Sequence, residues 1–131
     1  MVFPYGDGEF DLVFLTSIFT HMPASHVRRY LSEINRVLKP GGRCLCTAFL
    51  LNEEAEGLIA AGKSAEEMVF RIDDYFSTSL EVPERATGFS EGRFLQWCRE
   101  RELTVSETYY GCWCGRSEFL SYQDILLLDK R

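Results

Sequence analysis

Two apolar runs, Phe10 to Thr16 and Arg43 to Leu51, flank a segment with helical periodicity that ends in Lys39-Pro40-Gly41-Gly42. No other feature of the chain constrains its fold as strongly. Val27, Tyr30, Leu31, Ile34, Val37 and Leu38 make one apolar stripe. Arg28, Arg29, Glu33 and Arg36 fall mostly opposite it, and Ser25 stands where an N-cap belongs. Lys39 suits the negative end of a helix dipole, Pro40 cannot continue the helix, and the glycines permit a reversal. Phe10 to Thr16 is apolar without alternation, as in a strand buried on both faces, and the Asp7-Gly8 turn signal precedes it. Strand, helix, strand in this order predicts a right-handed crossover in a parallel sheet whose faces helices must cover.

The rest of the chain is less regular. Asn52 is placed to cap a short helix through Ala61 that ends near Gly62. Ser64-Ala-Glu-Glu67 is a capping-box pattern, and Met68, Val69, Ile72, Tyr75 and Phe76 are spaced as the apolar face of the helix it opens. Ser77 to Thr87, with Pro83 and mixed charges, reads as a loop. Phe89 and Phe94 occupy staple positions around a Ser90 cap, which predicts a helix to about Arg101. Leu103 to Tyr110 is rich in β-branched and aromatic residues, Gly111-Cys-Trp-Cys-Gly115 is a glycine-bounded loop, and a final strand is densest at Ile125 to Leu128. Two strands joined by a loop predict an antiparallel hairpin, so the expected fold is α/β with a mixed sheet.

With 131 residues, 46% of them hydrophobic, the chain has material for one compact domain with a real core. Its net charge of −6 argues against nucleic acid or an anionic membrane as the main partner. No apolar run is long enough to span a bilayer, and Met1 to Gly8 lacks a basic region followed by an apolar one, so the soluble cytoplasm is the expected location. Five cysteines without a secretory signal predict reduced thiols. Zinc sites space their thiolates as Cys-x2-Cys or wider. The two Cys-x-Cys pairs, Cys44 with Cys46 and Cys112 with Cys114, depart from that spacing, Cys44 and Cys46 on one face of a predicted strand read as small core filler, and no metal is expected.

The block Phe10 to Arg43, FDLV…SIFTHM…LSEINRVLKPGGR, resembles the class I S-adenosylmethionine-dependent methyltransferases, of the type 11 and 12 kind. Asp-Leu-Val, a connecting amphipathic helix and Arg-Val-Leu-Lys-Pro-Gly-Gly agree with that family in order and spacing. The tail Tyr109 to Leu128 looks like the closing hairpin of one of its small-molecule subgroups. The family's sheet runs 3-2-1-4-5-7-6 with strand 7 antiparallel. The resemblance places residues 1–131 as a single domain, the carboxyl-terminal portion of a methyltransferase domain: a partial Rossmann-like sheet of the equivalents of strands 4, 5, 6 and 7, with flanking helices. The family's Gly-rich cofactor loop follows a strand. Here Gly6 and Gly8 form a Gly-x-Gly pair that precedes one, so the principal cofactor-binding loop is absent.

The resemblance implies S-adenosyl-L-methionine as cofactor and a small-molecule methyl acceptor. Ligands of open α/β sheets bind outside the carboxyl ends of the strands. Thr16, Ser17, Phe19 and Thr20, just past the first strand, are the expected cofactor-binding residues. His21 is the candidate catalytic residue, as an acceptor-side base or alternatively as a histidine that only hydrogen-bonds the next helix. Phe3-Pro4-Tyr5 resembles the family's segment near the adenine. Tyr75, Tyr109 and Trp113 are candidate walls of a substrate pocket, with core packing as the alternative. A chain of this kind is expected to be inactive alone. A sheet edge exposed at its first strand would invite a homo-oligomer or a separate amino-terminal half as partner, and a non-catalytic assembly module is the alternative function.

Overall fold

The first apolar run forms β1 (Phe10–Leu15) in a computed structural model that describes residues 2–131. The periodic segment forms α1 (Ala24–Val37), and β2 (Leu38–Ala48) takes in Lys39-Pro40-Gly41-Gly42, read as a turn, together with most of the second run, its register against β1 breaking between Phe10 and Leu12. β1 and β2 pair in parallel, with Val13 opposite Cys44 and Leu15 opposite Cys46. Next come β3 (Leu50–Leu51), α2 (Glu53–Ala60), β4 (Phe70–Ile72), β5 (Tyr75–Ser77), β6 (Thr87–Ser90), α3 (Glu91–Glu100), β7 (Leu103–Tyr109) and β8 (Asp124–Lys130). The main sheet has the order β1-β2-β8-β7, with β8 antiparallel to both neighbours. This is the 4-5-7-6 order of the class I methyltransferase sheet, last strand antiparallel included.

The stripe read from the sequence is the buried face of α1, where Ala24, Val27, Leu31, Ile34 and Val37 are enclosed. It packs with Phe94, Trp97 and Cys98 of α3 onto Cys44, Cys46, Leu126 and Leu128 of the sheet. Successive strand side chains point to opposite faces. The alternate positions of β1 consequently stay open, with Leu12 at 48% and Phe14 at 64% exposure on the edge strand. A smaller core holds Phe49, Leu51, Ala55, Met68, Trp113 and Cys114.

Local details depart from the sequence expectations. Pro23, not Ser25, is the N-cap of α1, without a side-chain bond, because Pro presets the dihedral of the entry and Ser25 lies inside the first turn. Asn52 does cap α2, accepting from the Ala55 N–H at 2.9 Å. The expected helix after Ser64 is absent. The Ser64 hydroxyl donates to the Glu66 carbonyl at 2.7 Å instead of capping, and Asp73 turns the chain at φ 51°. That turn makes Ile72 and Tyr75 cross-strand partners in a β4–β5 hairpin instead of neighbours on one helix face. Residues read as loop and cap form β6, which completes a second sheet of order β3-β6-β5-β4. Gly88 permits this, since a Cβ there would lie 2.8 Å from Leu51. Ser90 sits at the N-cap of α3 without a side-chain bond, while the Phe89 and Phe94 rings meet at 6.4 Å.

The segment before β1 is clamped onto α1. Arg36 donates to the carbonyls of Tyr5 at 2.8 Å and Phe3 at 3.1 Å, and to Asp7 at 2.9 Å. Glu33 accepts from Arg36 and, at 2.7 Å, from the Phe3 N–H. The Arg36 bond holds the Glu33 carboxyl down at about 2, against some opposing desolvation. A carboxyl depressed by folding adds stability above its unfolded value of 4.5 that is lost as pH falls through the folded value near 2. Glu33→Gln should therefore cost about 1 kcal/mol at pH 7 in urea unfolding. The difference from the parent chain should close near pH 2.

Candidate functional site

β8 is antiparallel to both β2 and β7, so β7 runs in the direction of β1 and β2. The carboxyl ends of these three strands, at Leu15, Ala48 and Tyr109, lie along one edge of the sheet, where open α/β sheets place ligands. The segments 16–23, 49–52 and 110–123 gather there.

After β1, Thr16 and Ser17 are exposed. Ser17 takes φ 56°, a left-handed conformation unusual for serine. Its N–H donates to the Thr47 hydroxyl at 2.8 Å, and its own hydroxyl accepts from Gln123 at 3.2 Å. The turn after β1 is thus tied to β2 and to the start of β8. Phe19 and Thr20 are wholly buried, and the Thr20 hydroxyl has no hydrogen-bond partner among the described residues. Thr87 secures this turn from below. Its hydroxyl reaches the carbonyls of Phe19 at 3.0 Å and Met22 at 2.8 Å and accepts from the Met22 N–H at 3.2 Å. His21 ends the short 3-10 helix Phe19–His21 and is exposed, with Nδ1 3.1 Å from the Glu84 carbonyl. Donation from Nδ1–H to that carbonyl leaves Nε2 free as a base.

The other half of the edge is organised by a residue with no motif around it. Asp124 is completely buried. It accepts from the Gly111 N–H at 2.7 Å, the Leu50 N–H at 2.8 Å and the Trp113 indole at 3.0 Å, and an Arg116 nitrogen lies 3.5 Å away. Burial pushes the Asp124 carboxyl up and these donors pull against it, leaving it above its ordinary value. Arg116 also donates to the carbonyl of Gly111 at 3.1 Å, to Asn52 at 3.3 Å and to Glu54, and lies 4.8 Å over the Tyr110 ring. The only sequence signal was a lone carboxylate abutting the apolar run Ile125 to Leu128.

Above this knot opens a cleft of about 690 Å³ between α2, the end of β7 and the loop 115–120. Tyr109, Tyr110, Phe119, Lys63 and Glu118 are among its walls. Burial, and then a bond to Glu91, push the Tyr110 phenol up to about 12. Of the three expected substrate-pocket residues, Tyr109 lines the cleft. Trp113 is fully buried, 5.2 Å from the Phe49 ring, and Tyr75 lies on β5, half-buried against the main core. A second, apolar hollow of about 310 Å³ is walled by Phe3, Pro4, Tyr5, Phe10, Phe14 and Ile18, among others. All five cysteines are free: Cys44 and Cys46 belong to the main core and Cys114 to the smaller one. Among the described residues no group of three or more His, Cys, Asp or Glu is placed to hold a metal ion, and no helix is long and apolar enough to cross a membrane.

Comparison with known proteins places this geometry. Residues 1–46 match the family model described as a methyltransferase domain. The chain is 33% identical over 112 residues to the 27-O-demethylrifamycin SV methyltransferase of Amycolatopsis mediterranei (strain S699), covering 78% of this chain and 40% of that protein. Among solved structures it is similar to the 1,6-didemethyltoxoflavin-N1-methyltransferase of Burkholderia thailandensis, crystallised with 1,6-didemethyltoxoflavin and S-adenosylhomocysteine. There the TM-score is 0.61 at 14% identity, over 96% of this chain and 46% of that one. A S-adenosylmethionine-dependent methyltransferase from Methanosarcina mazei gives 0.62 at 17% identity, over 97% of this chain and 62% of that one. The chain thus spans less than half the length of the rifamycin relative.

Removing the Asp124 carboxylate strands three buried donors and a nearby guanidinium. Asp124→Ala should lower stability by about 3 kcal/mol or more in urea unfolding. Tryptophan emission should shift to the red as Trp113 loses its acceptor and gains water.

Proposed function

We propose that this chain, which has the fold of the class I S-adenosylmethionine-dependent methyltransferases, is in residues 1–131 the carboxyl-terminal portion of such a domain, supplies the acceptor side of a small-molecule methyltransferase and is inactive alone. The observation that carries this reading is the convergence of the 16–21 turn and the 110–123 loop on the carboxyl edge of the sheet, joined by the Ser17–Gln123 bond. The relatives named for their acceptors take 27-O-demethylrifamycin SV and 1,6-didemethyltoxoflavin, and the same class of acceptor is proposed here.

The residues present fit one wall of a cofactor site. Exposed Thr16 and Ser17 offer polar atoms toward the methionine portion, and the apolar hollow at Tyr5, Phe14 and Ile18 offers a surface for a flat base. No Gly-x-Gly loop between a strand and a helix is among these residues, and the opposite wall is assigned to residues outside them. The cofactor, when bound, supplies an electrophilic methyl group. Phe19 and Thr20 act from beneath by shaping the turn, since both are buried. His21, oriented by the Glu84 carbonyl, takes the acceptor proton on Nε2. Positioning accounts for much of the rate of such a displacement. The odd count of five cysteines supports a reducing cytoplasm as the location.

Calorimetric titration tests the cofactor half of the reading. The 131-residue chain should bind S-adenosylhomocysteine no better than millimolar, and a chain extended by a glycine-rich loop should bind at micromolar strength and transfer methyl groups. Micromolar binding to the short chain would overturn the half-site reading.

A second reading, a non-catalytic module that assembles through β1, is favoured by one observation. The edge strand presents Leu12 and Phe14 to solvent, beside Tyr5 at 52% exposure. It predicts concentration-dependent mass in light scattering at micromolar protein, reduced by Phe14→Lys. A monomer at all concentrations would dismiss it.

A further inference from the structure

We propose that the cleft between α2 and the 115–120 loop is a subsite for a planar phenol, held by stacking on Tyr109 and Phe119 and by a two-sided hydrogen bond between Lys63 and Glu118. This rests on the reading of the chain as the acceptor side of a methyltransferase and names the class of acceptor. About 690 Å³ accommodates a bicyclic or tricyclic ring system. Three aromatic walls are open to solvent, Tyr109 at 41%, Tyr110 at 37% and Phe119 at 55%, a density of exposed rings that a flat apolar ligand would bury. The guanidinium of Arg116 already covers one face of Tyr110, which leaves Tyr109 and Phe119 for the ligand.

Charge bookkeeping then selects the polar group. Arg116 is engaged by Glu54 and Asp124, one cation against two carboxyl groups, so this trio brings no spare positive charge into the cleft. Lys63 and Glu118 also line it, and neither makes an ion pair among the described residues. A carboxylate ligand would face Glu118 and a quaternary ammonium would face Lys63. A phenol satisfies both, because its O–H donates to a carboxylate while its oxygen accepts from an ammonium. The backbone at Lys63 is fixed for this. Gly115, at φ 107°, lets the loop approach so closely that a Cβ there would lie 2.7 Å from the Lys63 carbonyl. The Ala65 N–H donates to the Trp113 carbonyl at 2.9 Å alongside.

The test uses the chain as it stands and three probes on one scaffold: 2-naphthol, 2-methoxynaphthalene and 2-naphthoate. Titration followed by NMR line shifts should show 2-naphthol binding about tenfold more tightly than the other two. Lys63→Met should weaken 2-naphthol and 2-methoxynaphthalene, since both oxygens accept from the ammonium. Glu118→Ala should erase the preference for 2-naphthol, which alone donates an O–H, and Phe119→Ala should weaken both ligands alike. Bound 2-naphthol should ionise at higher pH in Lys63→Met than in the parent chain, read by absorbance, because the Glu118 carboxylate then acts on its proton unopposed. Equal binding of the three probes, no binding at millimolar concentration, or indifference to Lys63→Met would overturn the assignment. If 2-naphthol binds as stated but an extended, cofactor-binding chain methylates no phenol, the cleft assignment stands and the functional reading falls.

Discussion

A carboxylate carried into an apolar interior must be met by donors, and here Asp124 is met from three parts of the chain. It opens β8, receives the N–H groups of Leu50 and Gly111 and the indole of Trp113, and has Arg116 beside it. The two N–H groups and the indole would be orphans in the same low-dielectric pocket without it, so these donors and the carboxylate stand or fall together. The end of β2, the start of β8 and the 110–116 loop are thereby fixed relative to one another. The cleft walls, the Arg116 stack on Tyr110 and the seat of Trp113 all hang from that arrangement.

The sheet built around this knot is covered on one side only. α1 and α3 share a face and enclose Cys44, Cys46, Leu126 and Leu128, while Leu12 and Phe14 face outward from the edge strand. The same edge faces the apolar hollow formed with Phe3, Pro4 and Tyr5. The Glu33–Arg36 clamp keeps those residues against α1. The exposed strand and the apolar hollow are two aspects of one geometry.

Much of this was legible in the residues. The stripe of α1 carries a strong local preference, and tertiary structure agreed with it. The run at β1 formed its strand, but with Leu12 and Phe14 open instead of both faces buried, and the Pro-Gly-Gly segment ended the helix as an irregular start of β2 instead of a separate turn. The β7–β8 hairpin was visible for the same reason. The hairpin at 70–77 was not, because Ile72, Tyr75 and Phe76 fit either period and only the left-handed Asp73 decides between them. β6 escaped because its existence depends on Gly88 lying against Leu51 and Phe49, a contact no local pattern encodes. In the site, Tyr109 lines the cleft, whereas Trp113 serves as a buried donor and Tyr75 lies on β5. Asp124 and Arg116 gave almost no signal, since a charged residue near a loop is ordinarily solvated and their importance arises from burial alone.

The position of β8 has a consequence for how the molecule is made. β8 follows every other element in sequence, yet it lies between β2 and β7, with Cys44 opposite Leu128. The central β2–β8 pairing of the sheet is therefore its most distant in the chain, and closing it costs the largest loop entropy. Until β8 arrives, β2 and β7 each have an unfilled side, and the donors that Asp124 will satisfy remain solvated. A nascent chain passes through a stage in which α1 and the β1–β2 crossover can be in place while the sheet still has a gap at its middle. That stage, with its open strand sides, is when a chaperone or a neighbouring nascent chain has most to bind.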